Sequence, residues 1–197
     1  WATDKYLLVY SGHKGAYTEN NVYVGMASSN NGVTWTKEGQ LNLGRSSEDP
    51  YLVYHEGTYY LYVEDKEVVP FKGTRLYTST DLETWTDQGY VLEPGATGTW
   101  DASDVSSPVV LIEDDTWYML FEGRGSGQSG AIGLATSSDG ITWAKHEDNP
   151  IIRPNRPSFF PTHEIPWAIN IAPDDILKVD GVYYLTYHGF PYRGRWQ

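Results

Sequence analysis

Hydrophobic and polar residues alternate with a period of two along most of the chain. The stretch "PYLVYHEGTYYLYVE" (50–64) holds two alternating runs joined by a Glu-Gly turn, which is the pattern of a β-hairpin. A turn, two aromatic residues and an alternating run recur at 114–122 and 180–188, and a weaker copy lies at 4–11. The pattern predicts a series of similar hairpins.

A second element repeats in step with the hairpins. At 24–35, 76–85 and 133–143, a short strand is followed by a polar turn and by a strand that opens on Thr-Trp. Gly, Pro, Asn and Asp interrupt the chain about every 8 to 12 residues, and helical periodicity is almost absent. A hairpin followed by a strand, a turn and a strand is typical of one four-stranded β-propeller blade.

We therefore predict an all-β fold, a single β-propeller domain with about three and a third blades in this chain. The predicted blades are 1–44 (partial), 48–94, 104–152 and 173–197 (partial). Because propellers close with about 4 to 8 blades, we expect a missing segment or an oligomeric partner to complete the ring.

Composition narrows the range of partners and locations. The net charge of -12 and the pI near 4.7 disfavour nucleic acid and membrane surfaces as partners. The chain shows neither a signal peptide nor an apolar run of the roughly 18 residues that a membrane span needs. Without cysteine, thiolate chemistry and disulfides are excluded. A secreted or periplasmic location, through a removed signal, is favoured slightly over a cytoplasmic one.

The blade pattern places several carboxylates at one end of the propeller channel. The first strand of a blade starts, and the second ends, on the same face, so Asp49 and Glu64 are expected there together. Aligning the hairpins makes Ser11, Glu64, Glu122 and His188 equivalent. Carboxylates around a channel end suit glycosidic bond cleavage, in which one acid protonates the leaving oxygen and another group activates water or stabilises the sugar cation.

Each candidate residue also has a structural interpretation. Asp49 could form an Asx turn, and Glu64, Glu122 and His188 could be solvated rim residues. The Thr-Trp tryptophans are interpreted as packing residues between sheets. His163 and His188 have no ligand spacing that would support a metal, so we predict neither a metal nor a cofactor.

These residues carry a resemblance to a known superfamily. "EDP" before a strand, "LYTSTDLETW", "WDASDVSSPVVLIEDDTWYMLFEG" and "YYLTYHG" are similar to motifs of the five-bladed propeller glycoside hydrolases of families 43, 32, 62, 68 and 130. In families 43, 32 and 68, the resemblance implies three acids from the first three blades: an Asp base or nucleophile, a stabilising Asp and a Glu acid. Asp49 matches the stabilising Asp. The first-blade Asp would lie upstream of Trp1.

The resemblance leaves the third acid open. The family's Glu usually precedes a proline, whereas this chain has Ser107 before Pro108. Glu122, Asp104 or Glu164 could take that role. We predict Asp49, Glu122 and Asp104 as catalytic residues. The predicted substrate-binding residues are Glu64, His188, Trp100, Arg45 and Glu164.

The sequence leaves two other functions open. Family 130 also shows "EDP" and "YHG", and there the Asp of "EDP" is the proton donor and phosphate can replace water. The Arg that usually follows is Tyr51 here, and only Arg45 and Arg124 could replace it, so hydrolysis is favoured. The other alternative is a non-catalytic carbohydrate-binding propeller. The preferred hypothesis is a hydrolase on plant or algal polysaccharides or oligosaccharides, with exo-action on a terminal sugar favoured.

Overall fold

The computed structural model describes residues 4–16, 18, 20–67, 73–126, 129–154 and 170–190. These residues form thirteen β-strands in four antiparallel sheets. The described part of the chain contains no helix that is long and apolar enough to cross a membrane. The prediction of an all-β fold is confirmed.

The chain divides into two compact units, residues 1–93 and 94–197. The first unit holds a three-stranded sheet in the order β1-β2-β3 and a four-stranded sheet in the order β4-β5-β6-β7. Its strands are β1 (Tyr6–His13), β2 (Val22–Ser29), β3 (Thr36–Gln40), β4 (Ser47–His55), β5 (Thr58–Asp65), β6 (Thr74–Ser79) and β7 (Thr86–Leu92).

The second unit repeats the four-stranded arrangement. One sheet has the order β11-β10-β9-β8, and a two-stranded sheet pairs β12 with β13. Its strands are β8 (Asp104–Glu113), β9 (Thr116–Arg124), β10 (Ala131–Ser137), β11 (Ala144–Lys145), β12 (Asn170–Val179) and β13 (Val182–Phe190). Each unit thus contains one four-stranded sheet of the kind predicted for a blade.

The predicted hairpins close with turns of the same type. In the turn from β4 to β5, Glu56 and Gly57 have φ angles of 46° and 85°. The corresponding angles are 47° and 60° at Asp114 and Asp115, and 51° and 79° at Asp180 and Gly181. Two consecutive residues with positive φ make the twist of the turn match that of the strands, and Gly and Asp tolerate this backbone best.

Burial differs between the outer and the inner strands of the sheets. The last strand β3 of the three-stranded sheet is exposed along its length, whereas the inner strands β5 and β9 are buried on both faces over their second halves. In the first unit, the core cluster consists of Val24, Leu43, Leu61, Val63 and Tyr77. In the second unit, the largest fully buried side chains are Trp117, Phe121, Met119 and Ile132.

The three Thr-Trp tryptophans have different environments. Trp85 packs against the core cluster of the first unit. Trp35 is 38% exposed and donates its indole N–H to the carbonyl of Gly32, and Trp143 donates in the same way to Gly140. Trp85 therefore fits the packing interpretation best, while the other two also close their own loops.

A serine and an Asx residue organise the loop before each Thr-Trp. Ser79 Oγ accepts a hydrogen bond from the N–H of Leu82, and Asp81 Oδ1 accepts from the N–H groups of Glu83 and Thr84. The same bonds occur around Ser137 and Asp139 and, with a neutral amide in place of the acid, around Ser29 and Asn31. These loops are local structures that each sheet builds from its own sequence.

We predict that these loops make stability depend on pH. Backbone hydrogen bonds lower the pKa values of Asp81 and Asp139 from their ordinary value. A carboxyl group whose pKa is lowered on folding stabilises the folded protein above its unfolded pKa of about 3.9. This stability is lost as pH falls through the folded pKa. Asp139→Asn should reduce the loss of Tm in acid, and Asp139→Ala should lower Tm at pH 7.

Thermal unfolding followed by circular dichroism between pH 7 and pH 2.5 measures this. Asn31→Ala is the matched control, because its loop has the same bonds without an ionisable group. It should lower Tm by the same amount at both pH values. An acid sensitivity unchanged in Asp139→Asn would contradict the prediction.

Candidate functional site

Asp49 lies on a β-bulge at the start of β4. The pairing with β5 shifts between Glu48 and Tyr51, so the backbone there carries one extra residue. Asp49 has a φ of 48°, in the left-handed region that non-glycine residues seldom adopt. Its side chain is exposed, and its N–H donates to Ser11 Oγ over 3.0 Å. The bulge thus presents a carboxylate to solvent at a strained position, which is a common feature of functional sites.

Ser107 occupies the equivalent position in the second unit. The pairing of β8 with β9 shifts between Ser106 and Val109, and Ser107 has a φ of 47°. The bulge and the proline that follows are therefore the same as at Asp49, but the side chain is a buried hydroxyl. The backbone geometry is repeated without the acid.

Glu64, near the end of β5, belongs to a buried ionic cluster. Lys66 Nζ lies 3.0 Å from Glu64 Oε1 and 3.0 Å from Glu48 Oε2, and both Glu64 and Lys66 are buried. Burial lowers the pKa of Lys66, but the two carboxylates outweigh it, and the net pKa lies above its ordinary value. We name this arrangement the Lys66 bridge. It fixes the two glutamates that are paired across the strands next to Asp49.

Asp65 is the centre of a second network in the first unit. Its carboxylate is fully buried and accepts hydrogen bonds from Arg45 over 2.9 Å and from the Tyr90 hydroxyl over 2.6 Å. Arg75 lies 3.7 Å away and also pairs with Asp87. Arg45, predicted as a substrate-binding residue, is thus engaged by protein carboxylates.

Asp104 and Glu122 lie together in the second unit. Both are buried, and Arg124 pairs with Asp104 Oδ2 and lies 3.5 Å from Glu122 Oε1. Ser106 Oγ donates to Glu122 Oε2 over 3.4 Å. Asp104 Oδ1 is buried and accepts no hydrogen bond from another described residue. Close packing of Glu122 Oε1 against Gly130 leaves no room for a larger residue there.

Trp100 is held against the same sheet by stacking. Its ring lies 5.7 Å from that of Phe121 at an interplanar angle of 28°, and it covers Gly123 and Gly133, where a Cβ atom would overlap it. The adjacent Asp101 is buried and pairs with Lys145. These contacts give Trp100 a packing role in addition to any contact with a sugar.

His188 lies on β13, at the position that corresponds to Glu64 and Glu122 in their strands. Each of the three is the seventh residue after its hairpin turn, at Gly57, Asp115 and Gly181, respectively. His188 is exposed, and its Nδ1 lies 2.6 Å from Asp174 Oδ1. The predicted register is therefore present, although each position has a different partner.

The remaining predicted residue, Glu164, lies outside the described residues, as does His163. Among the residues that are described, no group of three or more His, Asp or Glu side chains is arranged to hold a metal ion. Sequence reasoning missed Lys66 and Asp65. The signal was the run "EDK" at 64–66, in which a cation follows two acids at the end of a buried strand.

Comparison with known proteins identifies the family. A sequence profile described as glycosyl hydrolases family 43 matches residues 43–163, which is more than half of the chain. The chain belongs to glycosyl hydrolases family 43. The matched range contains Asp49, Glu64, Asp104 and Glu122. None of the curated proteins compared with it matches the chain.

Several solved structures share the fold of this family 43 chain. A family 117 glycoside hydrolase from the marine bacterium Zobellia galactanivorans is 18% identical, with 94% of this chain and 63% of that chain covered and a TM-score of 0.65. A β-1,2-mannobiose phosphorylase from Listeria innocua is 16% identical, with coverages of 94% and 52% and a TM-score of 0.75. A xylan β-1,4-xylosidase from Bacillus halodurans is 16% identical, with coverages of 98% and 37% and a TM-score of 0.71.

These likenesses concern the fold. Together with the family, they confirm the predicted fold class, a β-propeller of four-stranded blades. The chain spans 63% and 52% of the lengths of the first two structures, so it corresponds to part of those proteins.

We predict that the Lys66 bridge stabilises the first unit. Lys66→Met removes the cation that Glu64 and Glu48 share, and loss of one partner of a buried pair costs about 3–5 kcal/mol. Because the pKa of Lys66 is raised in the folded protein, the stability that Lys66 contributes is complete below its unfolded pKa of about 10.4. This stability is lost only as pH rises through the folded-state pKa.

Urea unfolding at pH 7, followed by tryptophan fluorescence, tests the bridge. The control is the double variant Lys66→Met/Glu64→Gln, which also removes the buried negative charge and should recover part of the lost free energy of unfolding. Equal losses in the single and double variants would show that the ion pair is not the source of the effect.

Proposed function

We propose that this family 43 chain carries part of the active site of a glycoside hydrolase that cleaves plant or algal polysaccharides or oligosaccharides by carboxylate acid/base catalysis. The observation that carries the proposal is the exposed Asp49 carboxylate on its strained bulge, beside the Lys66 bridge and within the matched range. A carboxylate that reaches solvent next to fixed charges is suited to stabilising a cation-like sugar.

In this proposal, Asp49 acts through its charge. Its carboxylate stabilises the developing positive charge on the sugar or sets the pKa of the general acid. The strained backbone keeps the side chain pointing away from the ladder, and the hydrogen bond from its N–H to Ser11 Oγ fixes the bulge. Glu48 and Glu64 supply negative charge behind it, partly neutralised by Lys66.

Asp104 and Glu122 are the proposed sources of the proton for the leaving oxygen. Both are buried and share Arg124, whose side chain is 40% exposed. A general acid has to carry a proton in the reactive state, so Arg124 would have to move away from whichever carboxyl group acts. Ser107 does not replace this function, because a hydroxyl is too weak an acid at the position where the family's Glu is expected.

Substrate contacts are proposed for the five predicted substrate-binding residues. His188 is exposed and is oriented by Asp174, which suits hydrogen bonding to a sugar hydroxyl. Trp100 offers an aromatic surface, while Glu64 and Arg45 act mainly through their ion pairs. Glu164 is kept as a proposed contact from its sequence context alone. Action on chain ends is proposed because a pocket at a propeller axis suits a terminal sugar.

A non-catalytic carbohydrate-binding role is the second candidate. The observation that favours it is Ser107, which occupies the same bulge as Asp49 without an acid. A phosphorylase of the family 130 type is less favoured, because the basic residues that could bind phosphate, Arg45 and Arg124, already pair with carboxylates.

A panel of aryl glycosides distinguishes these functions. We expect the full-length protein to release nitrophenol from at least one arabinofuranoside, xyloside, fructoside, mannoside or galactoside at a rate that does not depend on phosphate. Turnover that requires phosphate would favour the phosphorylase. Saturable sugar binding without turnover would favour the binding module.

Replacement of Asp49 tests the site directly. Asp49→Asn in the full-length protein should lower kcat/KM by about 10² or more, the scale of a lost electrostatic or acid/base contribution, with little change in Tm. Asn tolerates positive φ nearly as well as Asp, so the bulge should persist. The matched control is Asp180→Asn, since Asp180 also has a positive φ, 51°, but lies in a hairpin turn.

Asp180→Asn should leave kcat/KM within about twofold of the wild-type value. If Asp49→Asn retained near wild-type activity, Asp49 would be a turn residue and the assignment of the site would be wrong. If Tm also fell, Asp49→Gly would decide, because glycine removes the carboxylate while relieving the strain at φ 48°.

A further inference from the structure

A polar pocket lies in the first unit beside the start of β4. It has a volume of about 260 Å³ and is lined by Asn20, Tyr23, Gln40, Asn42, Leu43, Gly44, Arg45, Ser46 and Glu67. We name it the amide pocket. Its volume lies just below the range of about 300–1,000 Å³ found for pockets that hold drug-sized ligands, so it suits a single small ring.

The pocket is formed where four strand ends meet. It includes the end of β3 at Gln40, the start of β2 near Tyr23, the segment before β4 and the residue Glu67 that follows β5. Asp49 is on the same strand end, four residues after Arg45. A chain of four residues spans at most about 14 Å, so one oligosaccharide could reach both places.

Three amide side chains border the pocket without a protein partner in the described part of the chain. Asn20, Gln40 and Asn42 are exposed, and none forms a side-chain hydrogen bond to another described residue. Each amide offers donors and an acceptor in one plane, which is suited to neighbouring hydroxyl groups on a sugar ring. Tyr23 adds a half-buried aromatic ring, and Lys14 Nζ lies 5.3 Å from the centre of this ring.

The floor of the pocket is rigid. Leu43 belongs to the core cluster, and buried Ser46 both donates to the Val22 carbonyl over 2.9 Å and accepts from the Val22 N–H over 3.1 Å. The Ser46 N–H donates to Glu67 over 3.2 Å. A fixed floor reduces the entropy lost on binding, because only the side chains at the rim then have to be ordered.

The charged lining residues of the pocket, Arg45 and Glu67, pair with each other. Arg45 lies 2.9 Å from Asp65 and 3.5 Å from Glu67, so its positive charge is already matched by carboxylates. The chain also has a net charge of -12, which repels anions. An uncharged polyhydroxylated ligand therefore fits this site better than a phosphate or a carboxylate.

We propose that the amide pocket binds one uncharged sugar residue, at a carbohydrate site separate from the one around Asp49. As a subsite for the substrate it rests on the proposed function, because the polymer held there would continue from the sugar at Asp49. The pocket would then favour substrates of several residues over single glycosides.

Sugar binding by the full-length protein tests the pocket. The probes are xylose, arabinose, mannose, galactose and glucose, the trisaccharides of xylose and mannose, and glucuronate as a charged analogue of glucose. We expect at least one neutral probe to bind in the millimolar range by saturation-transfer NMR and calorimetry, and glucuronate to bind more weakly than glucose. The double variant Gln40→Ala/Asn42→Ala should weaken binding by about tenfold, as loss of two hydrogen bonds predicts.

The control is Asn30→Ala, an exposed amide in the loop at the opposite end of β2, which should bind within about twofold of wild type. Absence of binding by all neutral probes, or equal binding by the double variant, would overturn the proposal. Stronger binding of glucuronate than of glucose would also overturn it, because the pocket would then select a charged ligand.

Kinetics separate failure of the pocket from failure of the proposed function. Gln40→Ala/Asn42→Ala should raise KM for the trisaccharide more than for the aryl monosaccharide, and Asp49→Asn should keep sugar binding while losing turnover. If Asp49→Asn lost turnover but the double variant changed neither binding nor KM, only the pocket inference would fail. If no substrate were turned over while the double variant still lost binding, the pocket would stand as a sugar site and the hydrolase proposal would fail.

Discussion

The strand ends near the candidate site depend on one constraint: carboxylates buried at the end of β5 and β9 have to be matched by cations. Glu64 shares Lys66 with Glu48, Asp65 is matched by Arg45 and Arg75, and Glu122 lies with Asp104 beside Arg124. A buried ion without a partner costs several kcal/mol, so these pairs form together with the sheets. The carboxylates of the candidate site are therefore held in place by the folding of the unit to which each belongs.

Pairing with cations also explains why the buried ends of β5 and β9 can contain acidic residues. In β5 and β9, both faces are buried over the second half of the strand, a position where Glu and Asp are rarely found unless they are paired. Networks of this kind hold carboxylates in fixed positions and set their electrostatic surroundings. Asp49 differs, because a bulge brings its side chain out of the ladder and leaves it exposed.

The two bulges show how a repeated backbone acquires different chemistry. Asp49 and Ser107 share the positive φ, the register shift and the following proline, but one offers a charge and the other a buried hydroxyl. The family 43 match covers both bulges, whereas activity depends on the single side chains placed on that backbone. The amide pocket illustrates the same point, because most of its lining lies in loops whose sequence the blade pattern leaves free.

The sequence by itself determined the strands, the two-residue hairpin turns, the Ser-Asx loops and the equivalence of Glu64, Glu122 and His188. These features are encoded locally, since alternation, turn residues and short-range hydrogen bonds act over a few neighbouring positions. Only the tertiary structure decided which charges meet. Arg45 binds Asp65 across 20 residues and Tyr90 reaches the same carboxylate across 25, and such contacts depend on how adjacent strands pack. Long-range pairing of charges has no periodic signal in a single sequence, so the contacts of Lys66 with Glu48, of Arg45 with Asp65 and of Arg124 with Asp104 became visible only when the strands were paired.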